Sequence, residues 1–163
     1  MFELKPISPG SIAGALAKAE RYRLLNEPSE AESICRDILQ VDSANQDALV
    51  SLVLALTDQI ADDPNAFGGA ISAAIRLESP YDRAYYCGIV WERRAKACHR
   101  RGSLAYVYDW IVQALRFFEE AEALRPHDND DALLRWNTCV RFLQRHKELT
   151  PRHEEVPEPI LSE

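Results

Sequence analysis

Ala114-Leu115-Arg116-Phe117-Phe118-Glu119-Glu120-Ala121-Glu122-Ala123-Leu124-Arg125-Pro126 is the stretch that decides the fold. Ala114, Phe118 and Ala121 fall at i, i+4 and i+7, one face of an α-helix. Small residues on either side of a ring let a partner helix approach closely while the ring fills the gap, and Pro126 stops the helix.

The same punctuation recurs outward from this helix. Gly102-Ser103 makes the break before it, so the sixth helix reads from about Leu104 to Arg125. Downstream, His127-Asp128-Asn129-Asp130-Asp131 caps a seventh helix that continues to about His146, with Asn129 or Asp130 as the N-cap. Upstream, Ser79-Pro80 opens a fifth that runs to about Arg100, and Asp63-Pro64 opens a fourth, weakened by Gly68-Gly69. Ser43 to Asn45 opens a third that reaches about Ile60, and Asn26 with Pro28 opens a second to about Gln40. Ser8-Pro9 or Ser11 caps the first, to about Leu25. No segment has the period of a strand, so the class is all-α. Residues 1–10 read as an N-terminal extension, 11–146 as a helical repeat domain and 147–163 as an extended or disordered acidic, proline-containing tail.

A chain of 163 residues with 47% apolar content has material for one domain. A net charge of -7 argues against nucleic acid as a partner. Met1 to Pro6 has no basic and apolar leader, and no run approaches ~18 apolar residues, so a cytoplasmic protein with no membrane segment is expected. Cys35, Cys87, Cys98 and Cys139 lie far apart in helical patterns and read as free thiols.

Paired helices recur with a period of about 34 residues. Ala114, Phe118, Ala121 and Pro126 match the landmarks of the second helix of a tetratricopeptide repeat, and Gly88 and Trp91 stand where that family places the small residue and the aromatic of the helix before it. The first pair keeps Ala19, Tyr22 and Ala31 but has Cys35 at the usual aromatic and Ser43 at the usual proline. The second keeps Pro80 and has Gly68 where alanine is expected. Over residues 11–146 the chain resembles this family. The resemblance implies a right-handed superhelix of three helical hairpins plus a C-terminal capping helix, a non-enzymatic scaffold for protein binding. Some members clamp a C-terminal carboxylate with basic residues on first helices; Ala15, Lys18, Ala19 and Tyr22 do not reproduce that clamp, and the third helix has no basic residue.

Two places invite a partner. The third hairpin is longer than the repeat requires by about 14 residues; shared equally, that adds ~10 Å to each helix, and the hairpin is expected to project. Its tip carries Arg93, Arg94, Lys96, His99, Arg100 and Arg101 against Glu92 alone, a basic patch for an acidic partner or a solvated helix end favoured by the dipole. Nine of the chain's fourteen aromatics lie in the same hairpin and are expected to fill its seam, Tyr108 and Trp110 included.

The third helix is apolar nearly all round, so it reads as central. With Leu49, Leu52, Val53 and Leu56 packed, Val50 and Leu54 point into a concave groove. The register adds Leu16, Glu20 and Arg23 on one side and Tyr85, Ile89, Leu134, Thr138 and Arg141 on the other. The groove is read as holding a partner peptide or helix; the alternative is a structural subunit, its groove covered by a second copy or by the chain's own Val156-Pro157-Glu158-Pro159-Ile160-Leu161. No cofactor, metal or catalytic residue is expected. Cys98-His99 diverge by roughly 100° on a helix, Asp128 and Asp130 near His127 lack a calcium loop's glycine and distal glutamate, and His146 with His153 is too sparse a ligand set.

Overall fold

Asn45 Oδ1 accepts the Ala48 N–H at 2.9 Å, and Ser79 Oγ accepts the Asp82 N–H at 3.1 Å. Each satisfies a first-turn amide that the helix itself leaves without a partner. The computed structural model describes residues 1–152. Among them are seven α-helices and no strand: α1 Ile12–Leu24, α2 Pro28–Val41, α3 Gln46–Gln59, α4 Ala66–Ala74, α5 Pro80–Arg100, α6 Val107–Leu124 and α7 Asp131–Arg145. The all-α class and the seven helices are as the sequence indicates. Pro28 and Pro80 sit in first turns, where a missing N–H costs nothing.

Local details differ from the sequence reading. Asp130 stands at the N-cap of α7 without a capping bond, because its carboxylate is taken by Arg125 at 2.8 Å. Asn129 Oδ1 accepts the Asp131 N–H at 3.0 Å and the Tyr81 hydroxyl at 3.3 Å instead, tying this turn to α5. Residues 104–106 form part of the turn before α6 and not its first turn.

Each helix packs against the next across short reversing turns, and α1, α3 and α5 also touch in order, so these three form one face of the stack. The centre is α3: Leu49, Leu52, Val53 and Leu56 are all buried, packed with Ala19, Ala31, Cys35, Ala70, Ala74 and Val90 of its neighbours. Val50 and Leu54 remain half-buried at its edge. A second cluster of Ile89, Val107, Ile111, Phe118 and Cys139 joins α5, α6 and α7. Gly88 permits the α5–α6 approach, since a Cβ placed there would lie 2.6 Å from the Phe118 ring.

The third hairpin is long, 21 residues in α5 and 18 in α6 against 13 and 14 in α1 and α2. It does not stand free. Arg101 near its end bonds Asp62 in the α3–α4 turn at 3.2 Å. On its other side Leu149 is buried in the second cluster, and Arg152 donates to the Tyr106 hydroxyl at 2.8 Å with its guanidinium over that ring. The first part of the expected tail, 147–152, is therefore docked at Leu149 and Arg152, because Leu149 has an apolar seat in the cluster of α5, α6 and α7. The remainder of that tail lies outside the described residues.

Candidate binding groove

The α1–α3 seam opens into a hollow of ≈ 460 Å³ lined by Leu16, Ala17, Glu20, Arg23, Asp47, Val50, Ser51 and Leu54. Five of these were indicated by register alone: Leu16, Glu20, Arg23, Val50 and Leu54. Ala19 and Val53 are buried in the core, and these five residues lie one, three or four positions from them along α1 and α3, on the flanks that border the opening.

Arg23 also lines a second hollow of ≈ 430 Å³ between α3, α5 and α7, so the two adjoin. This one is charged. Its walls carry Arg23, Arg93, Lys96, Arg100 and Arg135 against Asp58 and Glu92. Asp58 bridges two helices from α3: Oδ2 accepts from Arg23 at 2.9 Å, and Oδ1 accepts from Arg93, which also bonds Thr57 Oγ1 at 3.0 Å. Glu92 is 1% exposed. Its Oε1 accepts from Lys96 one turn on, while Oε2 has no hydrogen bond among the described residues and lies 3.5 Å from Arg135 Nη1. Burial opposes the charge on Arg135, but Glu92 and the Tyr85 hydroxyl outweigh it and raise its pKa, so it stays cationic. Arg100 is exposed and has no ion pair among the described residues.

The other expected groove residues are placed elsewhere. Ile89 is 2% exposed, in the core against Cys139, and Tyr85 packs among Tyr81, Tyr86 and Phe118. Ile89 is enclosed in the cluster that joins α5 to α6 and α7, and Tyr85 is half-buried against the neighbouring rings. Leu134, Thr138 and Arg141 share the outward face of α7 and are exposed, since Ala132 and Cys139 take its inward face. The α7 residue that reaches the groove is Arg135.

The basic tip is divided among several faces. Arg93, Lys96 and Arg100 line the charged hollow, and Arg101 pairs with Asp62. Arg94 lies over the Phe67 and Trp110 rings, 3.9 and 4.1 Å from their centroids, where burial lowers its pKa. Acidic partners from α3 and the α3–α4 turn, distant in sequence, neutralise part of what reads as a bare patch. Tyr108 and Trp110 pack against the second cluster, as seam-filling requires.

The four cysteines are free, and burial pushes the thiols of Cys35 and Cys139 up to about 11 and about 12 and raises that of Cys87. Such thiols stay protonated at neutral pH and are poor nucleophiles. His99 turns toward Phe142, His146 and Glu148, and His127 contacts Asp128 at the open surface. No described helix is long and apolar enough to cross a membrane. No family model, curated protein or solved structure matches this chain. The two adjoining hollows, apolar at one end and cationic at the other, therefore carry the functional reading.

Proposed function

We propose that this chain is a tetratricopeptide-type, non-enzymatic module that holds an acidic peptide bearing apolar side chains. The apolar anchors lie toward Leu16, Val50 and Leu54, and the carboxylates toward Arg100 and the surrounding cations. One observation carries the reading: Arg23 joins an apolar hollow to one where five cations face two carboxylates, inside a chain of net charge -7. An acidic ligand finds a local excess of positive charge there in a chain that is net negative, and low-dielectric walls strengthen the attraction. The helices α1, α3 and α5 give a fixed surface, so little ordering cost falls on the protein side.

Selection from a random-peptide library against the full chain tests this. Expected winners combine Asp or Glu with Leu, Ile, Val or Phe, and their affinity falls with salt. Val50→Asp with Leu54→Asp is expected to abolish binding, and Arg100→Glu to weaken it by at least about tenfold, or ~1.4 kcal/mol. Selection of basic peptides, or winners indifferent to both changes, would contradict the proposal.

A second reading has its own observation. Glu154, Glu155, Val156, Glu158, Ile160 and Leu161 offer the same acidic and apolar chemistry within the chain. A chain ending at residue 152 that binds the selected peptides more tightly than the full chain would show that the tail competes for the groove. Mass in solution then separates a tail acting in its own molecule from one reaching a second copy.

A further inference from the structure

At the C-terminal end of α5, His99 meets His146, the residue that closes α7, and Glu148 in the turn that follows. His146 Nδ1 lies 3.1 Å from Glu148 Oε1, and His99 Nε2 lies 3.6 Å from the same oxygen. One ligand atom from each of the three residues falls within 4.8 Å of the others. The imidazole rings are 4.2 Å apart at 60°, and both rest on Phe142, at 5.2 and 4.6 Å. Packing against Phe142 restrains the two rings, and the half-exposed Glu148 leaves the group reachable from solvent.

Zinc bonds to nitrogen and carboxylate oxygen are ~2.0–2.1 Å long, and a tetrahedral arrangement separates such ligand atoms by about 3.3 Å. Two edges of the triangle, at 3.1 and 3.6 Å, bracket that spacing. We propose that His99, His146 and Glu148 form a three-ligand Zn²⁺ site, with a fourth position left to water. Two imidazoles and a carboxylate suit this borderline cation better than calcium or magnesium, which take oxygen ligands. The ion clips the end of α7 and the turn carrying Leu149 onto α5, across nearly fifty residues of chain, and so adds a metal link to a docking that otherwise rests on Leu149 and Arg152.

Zn²⁺ titration of the full chain, freed of metal by a chelator, tests this, with Co²⁺ as spectroscopic stand-in. One ion per chain is expected, with intense visible Co²⁺ bands of a tetrahedral site and no thiolate charge-transfer band. His99→Gln, His146→Gln and Glu148→Gln should each weaken Zn²⁺ by at least about tenfold, and His127→Gln should leave it unchanged. Glu148→Gln sits in a surface turn, so it reports on the metal even where a histidine variant folds poorly. A thiolate band, loss of binding on His127→Gln, or tight binding that survives Glu148→Gln and either histidine change would overturn the assignment.

Discussion

Replacing Phe118 by alanine is expected to destabilise the chain by about 3–5 kcal/mol, the range for emptying a fully buried aromatic site. Phe118 is 0% exposed and occupies the seam between α5 and α6, whose backbones are held apart by nothing larger than Gly88 on the facing side. The surrounding Ile111, Ala114 and Ala121 are buried on a rigid helix and cannot close over the space. Thermal unfolding followed by circular dichroism measures the loss. The converse change, Gly88→Ala, brings a Cβ to 2.6, 2.8 and 3.0 Å from three atoms of the ring. Overpacking of that kind costs ~1–3 kcal/mol, against which alanine's better helix propensity returns at most about 1 kcal/mol. Combining Gly88→Ala with Phe118→Leu should then cost less than the sum of the two single changes, because the smaller side chain makes room for the methyl. Simple additivity would show that the two residues do not meet.

The second large effect concerns Glu92. Its carboxylate is buried with one oxygen lacking a hydrogen bond, and its charge is balanced by Lys96 and Arg135. Changing both cations to methionine keeps their apolar stems and removes their charge. The carboxylate is left buried and uncompensated, which costs about 3–5 kcal/mol and lowers the melting temperature by roughly 6–20 °C in a chain of this size. Adding Glu92→Met should recover most of that loss, since an apolar triad of similar volume needs no solvation. The asymmetry separates electrostatics from packing: a packing explanation predicts that the third substitution makes matters worse. A double variant as stable as the wild type would show that the two cations do not hold Glu92.

The fold was legible where local chemistry decides it. Caps at Asn45 and Ser79, prolines in first turns and the breaks at Gly102 and Pro126 each act within a few residues, so the seven helices could be read directly. The spacing of Gly88 with Ala114, Phe118 and Ala121 likewise announced the close helix pair that the packing realises. Half of the groove followed for the same reason: Leu16, Glu20, Arg23, Val50 and Leu54 depend only on the register of α1 and α3.

The other half depends on where α7 lands, which is set by tertiary packing: Ala132 sits with Tyr81 and Ala84 near the start of α5, and Cys139 with Ile89 and Ala95 further along it. Sequence register therefore placed Ile89 in the groove and overlooked Arg135. The basic run reads as a bare tip in the sequence because the acids that pair with it, Asp58 with Arg93 and Asp62 with Arg101, come from a helix and turn some 35–39 residues earlier. A signal was present nonetheless. Glu92, Lys96 and Arg100 recur at i, i+4 and i+8, one stripe of α5, which identifies a polar face and not a tip. The pairing of His99 with His146 and Glu148 had no local signature, since it needs the end of α7 to return beside the end of α5.

On the proposed function, the adjoining apolar and cationic hollows form one binding site. Amide NMR of the isotope-labelled chain, titrated with the tightest acidic peptide from the random library, tests it most directly. Leu16, Val50, Leu54, Arg93 and Arg100 are expected to shift together along one saturation curve. Shifts confined to α2, α4 and α6, or separate curves for the two hollows, would contradict it.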